Sequence, residues 1–397
     1  MSNFCIFGTH PRLSLAELRA LKPHIPAPRC ISQAAIFDDP EWDGAAMMHQ
    51  LGGTAKLGVI VGDLPTSEVT AERIVDMVSD RLPDHSIDFG WTVYGSSRAS
   101  TLKLERLALS IKKAFKARGT SSRWVTGKES NALSPAAVAK LKLTTEGLDL
   151  NLFIDGTEAW LGLTTHVQDA DAWGLRDFGR PARDERVGML PPKLARMMIN
   201  LAHPTATDTI IDPFCGGGTV IMEAMVTVDA KRFIASDSDP IQVANTKENL
   251  TWCTHKYLFP AERLTRLTAL IADARHLEKE VIGTVDCVIT EGYLGPLLSG
   301  QETMETLEKN VRMLSTLWLD TLRNIKPLLN SGARLVVVWP AFKSSHGTAR
   351  VELDADIEKL GYTVTNPLQD WDPTNGPLLY MRPEQRVMRR IVVLEAK

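Results

Sequence analysis

The clearest pattern of hydrophobic and polar positions lies between residues 209 and 228. A short apolar run ends in an acid and is followed by the segment Asp212-Pro213-Phe214-Cys215-Gly216-Gly217-Gly218-Thr219. Apolar residues then recur at helical spacing, at Val220, Ile221, Ala224, Met225 and Val228. This order predicts a buried strand, a tight turn and a helix, which together open a doubly wound α/β sheet.

Strand and helix patterns alternate from this turn to the end of the sequence. Apolar runs predict strands at 209–212, 232–237, 267–272, 285–290, 334–339, 362–366 and 390–394. The last two runs have no helix pattern between them, so we expect them to pair antiparallel. Together the runs predict a seven-stranded mixed sheet with six parallel-compatible strands and one antiparallel edge strand.

The N-terminal part of the chain predicts smaller α+β folds. Residues 1–62 combine short apolar runs with one helix pattern, and residues 63–168 form a second unit of the same kind. Residues 169–188 carry charges and turn residues without clear periodicity, which predicts a linker. The helix pattern at 191–202 then belongs to a C-terminal domain of residues 189–397.

Composition limits the class of protein. The chain has 397 residues, 44% of them hydrophobic and 23% charged, as in a soluble globular protein. No apolar run approaches the roughly 20 residues of a membrane span, and Met1 to Gly8 do not resemble a signal peptide. The five cysteines form no C-x-x-C pair, so we expect no metal site, no disulfide framework and a cytoplasmic location.

Positive charge is concentrated in the second N-terminal unit, although the whole chain has a net charge of −3. The candidate phosphate-binding residues are Lys112, Lys113, Lys116, Arg118, Arg123 and Lys128. A charge run of this kind is usually a solvated helix face. Here the basic excess continues beyond one helix pattern into the next strand, which favours a nucleic-acid surface.

The glycine-rich turn is compatible with several ligands. A phosphate-binding P-loop ends in Gly-Lys-Ser/Thr, whereas here Gly218 is followed directly by Thr219. A dinucleotide fold places its G-x-G-x-x-G early in the chain. S-adenosylmethionine (SAM) also needs close backbone approach, for which glycine is suited. An ordinary turn is the remaining alternative, so the residues downstream must decide.

Acidic residues follow the next two predicted strands. Asp237 and Ser238 end the second strand, where a carboxylate can accept both ribose hydroxyls, and Asp239 is either a substitute or a helix cap. Asp273-Ala274 ends the third strand, where the acid can accept a bond from an adenine amino group. Three acids in this order after a glycine-rich turn favour SAM. The predicted cofactor-binding residues are Asp212 to Thr219, Asp237, Ser238, Asp273 and Ala274.

The fourth predicted strand ends in Glu291-Gly292-Tyr293-Leu294. This place resembles the Asp/Asn-Pro-Pro-Tyr/Phe/Trp motif of amino methyltransferases, whose acid or amide and next carbonyl accept the two amino hydrogens. The resemblance implies catalytic roles for Glu291, the Gly292 carbonyl and a stacking Tyr293. Gly292 replaces the first proline and Tyr293 comes one place early, so a plain turn remains the alternative.

The basic region contains a further resemblance. Residues 131–138, together with Leu141, Gly147, Leu148 and Leu150, resemble the core of a THUMP domain, a family that binds tRNA near its acceptor end. Residues 1–62 resemble the ferredoxin-like domain that accompanies THUMP domains. The resemblance therefore implies that residues 63–168 bind RNA.

Nearly the whole chain resembles the THUMP-containing tRNA guanosine N2-methyltransferases that act at tRNA position 10. The segments that carry the resemblance are Arg180-Pro181, Met189-Leu190-Pro191-Pro192-Lys193-Leu194-Ala195, Asp212 to Thr219, and Asp237-Ser238-Asp239-Pro240. The resemblance implies a Rossmann-like class I SAM methyltransferase domain, SAM as cofactor, tRNA as substrate and, from the eukaryotic relatives, a possible small activating subunit.

Two other functions remain open from the sequence. A DNA or rRNA amino methyltransferase uses a similar fourth-strand motif, although the THUMP-like region argues against it. An RNA-binding protein that has lost catalysis is compatible with Gly292 and the displaced Tyr293.

Overall fold

The computed structural model describes residues 2–82, 85–95, 106–127, 132–183, 189–372, 374, 376–382 and 385–397. The chain forms two compact units. One unit comprises Met1–Pro11 and His24–Ala172, and the other comprises Arg12–Pro23 and Trp173–Lys397. Lys128 lies outside the described residues.

The first half of the chain alternates short strands and helices. In chain order these are β1 (Ser2–Phe7), α1 (Pro11–Leu21), β2 (Arg29–Ile31), β3 (Ala34–Asp38), α2 (Gly44–Gln50), β4 (Thr54–Pro65), α3 (Ala71–Met77), β5 (Ile87–Tyr94), α4 (Leu107–Ala117), β6 (Ser122–Trp124), α5 (Pro135–Lys140), β7 (Leu148–Asp155), β8 (Glu158–Val167) and α6 (Ala170–Phe178).

A single sheet runs through the N-terminal unit. Among the described residues it has eight strands in the order β2-β3-β1-β4-β8-β7-β5-β6. The predicted boundary at residue 62 falls inside β4, so the two predicted N-terminal domains share a strand. Their ferredoxin-like and THUMP-like identities stay predictions.

The buried face of this sheet packs against α3 and α4. Ile111 and Phe115 lie four residues apart on one face of α4, are fully buried and belong to the same core cluster as Phe89 and Trp91. The lysines of α4 therefore lie on its exposed face.

The C-terminal unit follows the predicted alternation. Its further elements are α7 (Pro192–Ala202), β9 (Thr209–Asp212), α8 (Thr219–Thr227), β10 (Arg232–Asp237), α9 (Pro240–His255), β11 (Leu267–Ile271), β12 (Val285–Thr290), α10 (Met304–Ile325), β13 (Leu329–Ser344), β14 (Gly347–Arg350), α11 (Asp354–Lys359), β15 (Tyr362–Thr365), β16 (Leu378–Tyr380) and β17 (Val387–Ala396). Helix α6 lies within the predicted linker at 169–188, and the assignment of a linker stays a prediction.

The second sheet has the order β11-β10-β9-β12-β13-β17-β15, and β14 and β16 pair with β13 and β17. The described residues thus form nine strands, and the prediction of seven is wrong because two short strands were missed. The predicted antiparallel pairing of the last two strands is confirmed by β15 and β17. Their predicted placement is wrong, because the antiparallel strand β17 lies between β13 and β15 rather than at the edge.

This sheet reverses its strand order between β9 and β12, which are parallel neighbours. In open α/β sheets ligands bind beyond the carboxyl ends of the strands at such a point. Helix α10 covers this part of the sheet with an apolar stripe that includes Leu314 and Trp318. Among the described residues, none of the helices has both the length and the apolar character needed to cross a membrane.

Candidate active site

The glycine-rich turn joins β9 to α8. Gly216 and Gly218 have φ angles of +50° and +80°, a left-handed conformation that favours glycine. No atom other than its chain neighbours would lie within 4 Å of a Cβ added to Gly216, so this turn borders open space. At Gly218, in contrast, a Cβ would lie 2.9 Å from Thr246 Cγ2, so the turn also packs closely on α9.

Side chains of α9 hold the turn in place. The Thr246 hydroxyl donates to the Gly216 carbonyl at 2.7 Å, and the Asn249 amide donates to the Gly217 carbonyl at 2.9 Å. Arg180, which is buried, donates to the Thr219 hydroxyl at 2.6 Å. These side chains could not be assigned a role from local sequence patterns, because their partners lie 30 to 39 residues away in the chain.

A cavity of about 430 Å³ opens at the carboxyl edge of the strands. It brings together every predicted cofactor-binding and catalytic residue except Gly218. The predicted residues that line it are Asp212, Pro213, Phe214, Cys215, Gly216, Gly217, Thr219, Asp237, Ser238, Asp273, Ala274, Glu291, Gly292 and Tyr293. Whether these residues bind a cofactor stays a prediction.

Asp237 lies at the end of β10, next to the glycine-rich turn. Its Oδ2 accepts from the Gly216 amide at 3.0 Å, and its Oδ1 accepts from the Asp239 amide at 2.9 Å. A carboxylate has about four lone-pair sites, so it retains acceptor capacity toward the cavity. Asp239 caps α9 by accepting from the Ile241 amide at 2.8 Å, which is one of its two predicted roles.

Asp273 has a partner that the sequence analysis did not anticipate. Its carboxylate accepts from the Arg275 guanidinium at 2.5 to 3.1 Å, and this side-chain bond lowers the pKa of Asp273. The predicted acceptor for an adenine amino group is therefore already engaged by a neighbour two residues along the chain.

Asp212 is the most deeply buried acid of the cavity. It is 2% exposed, and burial raises its pKa to about 7. Bonds from the Thr290 hydroxyl at 2.6 Å and the Phe214 amide at 3.1 Å act in the opposite direction. Proximity to Asp237 and Glu291 adds to the increase.

Stability should depend on pH through Asp212. Because its pKa is higher in the folded state, the folded protein retains a proton that the unfolded chain loses between pH 4 and 7. We therefore expect its contribution to the free energy of unfolding to fall by up to about 1.4 kcal/mol per pH unit in this range and to level off above pH 7. Both bonds end on Asp212 Oδ1, so Asp212→Asn keeps the oxygen that accepts them. In urea unfolding, its stability relative to wild type should rise from pH 5 to 8, whereas a constant difference would contradict the assignment.

The Glu291 carboxylate forms a buried ion pair with Arg389 of β17. Arg389 Nε lies 2.5 Å from Glu291 Oε1, and Nη2 lies 3.4 Å from Oε2. The two side chains are 4% and 9% exposed. Sequence reasoning missed Arg389, because no spacing rule links residues 98 positions apart.

Gly292 lies against the indole ring of Trp318. A Cβ at residue 292 would lie 2.6 Å from Trp318 Cζ2, which is closer than real contacts allow. This contact leaves no room for a side chain at residue 292. Tyr293, in contrast, is 49% exposed beside the cavity.

Cys215 packs in the turn. It is 5% exposed, and burial raises the pKa of its thiol. A protonated thiol is a poor nucleophile, so this residue does not suit covalent chemistry.

The predicted RNA-binding residues that the structure describes are all exposed. Arg118 and Arg123 pair with Asp76 and Asp88, respectively. Lys112, Lys113 and Lys116 project from α4, and none has an ion-pair partner within the described part of the chain.

The strand order and the cavity define the class of the C-terminal unit, a Rossmann-like methyltransferase fold. Residues 180–350 match the family model described as "UPF0020: RMKL-like, methyltransferase domain". The match covers less than half of the chain and begins after the N-terminal sheet, whose function it does not address.

Two archaeal proteins are similar in sequence to part of this chain. The chain is 34% identical over 125 residues to a "tRNA (guanine(10)-N2)-dimethyltransferase" of Methanothermobacter thermautotrophicus, covering 32% of this chain and 33% of that protein. It is 35% identical over 173 residues to a protein of the same name from Methanocaldococcus jannaschii, covering 44% and 42%. The alignments thus span a third to two fifths of these relatives. They confirm the resemblance to tRNA guanosine N2-methyltransferases over the part that they cover.

Solved structures support the fold over the full length. TrmN from Thermus thermophilus superimposes with a TM-score of 0.56 at 18% identity, covering 100% of this chain and 99% of that chain. A possible methylase from Clostridium difficile 630 has a TM-score of 0.52 at 12% identity, covering 98% and 97%. At these identities the likeness concerns the fold alone.

Proposed function

We propose that this protein transfers a methyl group from SAM to the exocyclic N2 of a guanosine in tRNA, at position 10. The observation that carries the proposal is the cavity, where the glycine-rich turn, Asp237 and the Glu291–Tyr293 segment converge. The names of the two archaeal relatives support the substrate. We also propose a cytoplasmic location, because the substrate is a tRNA and the cysteines do not show the spacing of a disulfide framework.

The cavity fits SAM, which is a cation with an ammonium and a sulfonium group. Four aspartates line it, Asp212, Asp237, Asp239 and Asp273, and Gly216 leaves space for close backbone approach. Asp237 would accept the ribose hydroxyls, and Phe214 and Ala274 would border the apolar parts. When bound, the cofactor supplies an electrophilic methyl group.

The remaining chemistry belongs to residues 291–293. The Glu291 carboxylate and the Gly292 carbonyl would accept the two amino hydrogens of guanine, which frees the nitrogen lone pair from ring conjugation. Positive charge develops on that nitrogen during transfer, and a fixed carboxylate stabilises it. A base in folded RNA must leave its stack to enter such a cavity, and the exposed Tyr293 ring can stack on it.

Asp237→Ala should weaken SAM binding by about tenfold to a hundredfold, because charge-assisted bonds to the ribose are lost. The substitution also removes the acceptor for the Gly216 amide, so the turn should loosen. Isothermal calorimetry measures the dissociation constant. Asp63→Ala, on a strand of the N-terminal unit, is the matched control, and unchanged binding by Asp237→Ala would remove this residue from the site.

The N-terminal unit is proposed to hold the tRNA through a THUMP-like domain. Replacing Lys112, Lys113 and Lys116 by Glu should weaken tRNA affinity at least tenfold and flatten its dependence on salt, because fewer counterions are released. Filter binding between 50 and 200 mM salt tests this. In the control variant, three exposed lysines of the C-terminal unit are likewise replaced by Glu, namely Lys231, Lys256 and Lys279. Equal effects of the two triple variants would show a nonspecific charge effect.

Mass spectrometry of nucleosides tests the function itself. The protein is incubated with SAM and an unmodified tRNA transcript, and we expect N2-methylguanosine at position 10. A tRNA in which this guanosine is replaced by adenosine is the negative control. Methylation of duplex DNA or rRNA instead would identify the alternative substrates. Binding of tRNA without transfer would indicate lost catalysis or, if an added small subunit restores transfer, a partner requirement.

A further inference from the structure

We infer that Arg389 is a positioning residue for methyl transfer, which holds the Glu291 carboxylate in the wall of the cavity. The inference rests on the proposed function. It assigns a role to a residue of the last strand that has no counterpart in the Asp/Asn-Pro-Pro-Tyr pattern.

The guanidinium group is fixed on both of its sides. Its Nε and Nη2 donate to the two oxygens of Glu291, and its Nη1 donates to Gln385 Oε1 at 3.0 Å. Two parallel bonds of this kind restrict the orientation of a carboxylate more than one bond does. Because both side chains are almost completely buried, little water screens the pair.

The sheet explains how Arg389 reaches this place. Strand β17 runs antiparallel to β13, so its first residues lie at the carboxyl edge of the parallel strands. Arg389 is in register with Pro340 of β13, and its side chain contacts Glu291 directly after β12. Glu291 lines the cavity, whereas Arg389 does not. The guanidinium therefore binds the carboxylate from outside the cavity and leaves acceptor capacity toward it.

The charges around the cavity give this contact a second role. The other acids that line it are Asp212, Asp237, Asp239 and Asp273, and the positively charged residue among the described lining is Arg275, which is bound to Asp273. Neighbouring negative charges favour protonation of a carboxyl group, and a protonated group loses acceptor capacity. Among the acids that line the cavity, Glu291 is the one against which a contact of Arg389 is described, so Arg389 places a positive charge beside this carboxylate.

Three variants of the full chain test the inference. Arg389→Met removes the charge, Arg389→Lys keeps the charge but not the paired geometry, and Arg390→Met removes the neighbouring arginine, which pairs with the exposed Asp354. Methyl transfer to the tRNA transcript is measured from pH 5.5 to 9, together with the dissociation constant for SAM.

We expect Arg389→Met to bind SAM within threefold of wild type, to lose about 100-fold in kcat and to need a higher pH for half-maximal kcat. Arg389→Lys should lose about tenfold in kcat with an unshifted pH profile, and Arg390→Met should resemble wild type. A kcat within threefold of wild type for Arg389→Met, or a loss without any shift in pH profile, would overturn the inference.

The experiment distinguishes a failure of the inference from a failure of folding and from a failure of the proposed function. If Arg389→Met does not fold, Arg389→Lys decides, because a wild-type kcat in this variant would show that the paired geometry is not needed. If wild type transfers no methyl group to any tRNA, the proposed function fails and the inference fails with it. An active wild type with an active Arg389→Met contradicts the inference alone.

Discussion

Glu291→Gln should bind SAM with an affinity within threefold of wild type and lose about 100-fold to 1,000-fold in kcat for methyl transfer. The amide keeps the shape of the side chain and can still accept one bond from Arg389, so the change is mainly the loss of negative charge. That charge is proposed to stabilise the nitrogen as it becomes positive, and removing one preorganised group of this kind typically costs about 10² to 10³ in rate. Initial rates with a tRNA transcript and calorimetry with SAM measure the two effects separately.

Glu291→Ala provides the comparison. It removes the acceptor completely and leaves the buried Arg389 without its carboxylate, which typically costs about 3–5 kcal/mol of stability. We expect a larger loss of kcat than for Gln, together with a lower melting temperature, so assays must be run well below that temperature. A kcat within tenfold of wild type for both variants would show that another group orients the amine and that Glu291 mainly balances the charge of Arg389.

The buried strands around the cavity could be predicted from the sequence because burial on both faces requires continuous apolar runs. The runs at 209–212, 232–237 and 285–290 match β9, β10 and β12 to the residue. The acids that follow them mark the carboxyl edge of the sheet. Parallel strands bring those ends together, so the cavity lining followed from the order of strands.

Short and peripheral strands could not be predicted in the same way. Strands β14 and β16 have four and three residues and pair with only one neighbour, so neither needs a long apolar run. Likewise, the apolar run at 57–61 predicts only the middle of β4, which extends from Thr54 to Pro65 and contains Gly58 and Gly62. At Gly58 a Cβ would lie 2.2 Å from the Leu163 carbonyl oxygen of the neighbouring strand, so tertiary contact rather than local preference explains this glycine.

Partners of functional side chains are the other part that sequence reasoning did not reach. Arg389 and Trp318 lie 98 and 26 residues from the motif residues that they contact. Nothing in the motif indicates which distant residue will hold an acid or occupy the space beside a glycine. The residues of the Glu291-Gly292-Tyr293-Leu294 segment can therefore be explained only by the side chains that pack around it.

Gly292→Ala should destabilise the C-terminal unit by about 1–3 kcal/mol, the usual cost of overpacking a core. The added methyl group would lie 2.6 Å from Trp318 Cζ2, whereas carbon atoms prefer separations of about 3.5–4.0 Å. Trp318 is 1% exposed and cannot move into solvent. Its ring centroid lies 5.7 Å from that of Phe214, which lines the cavity, so displacement of the indole should also weaken SAM binding. Gly292→Pro introduces the first proline of the Asp/Asn-Pro-Pro-Tyr motif. We expect it to destabilise the C-terminal unit as well, because its Cβ would meet the same indole ring.

A double-mutant cycle with Trp318→Leu isolates this contact. Trp318→Leu alone should cost about 2–4 kcal/mol, because it leaves a cavity in the core. In Gly292→Ala/Trp318→Leu the smaller side chain leaves room for the methyl group, so the combined loss of stability should be smaller than the sum of the single losses by about 1 kcal/mol or more. Urea unfolding measures the four free energies. Additive losses, or wild-type stability in Gly292→Ala, would mean that the indole does not determine the residue at position 292, and the departure from proline would then need a different cause.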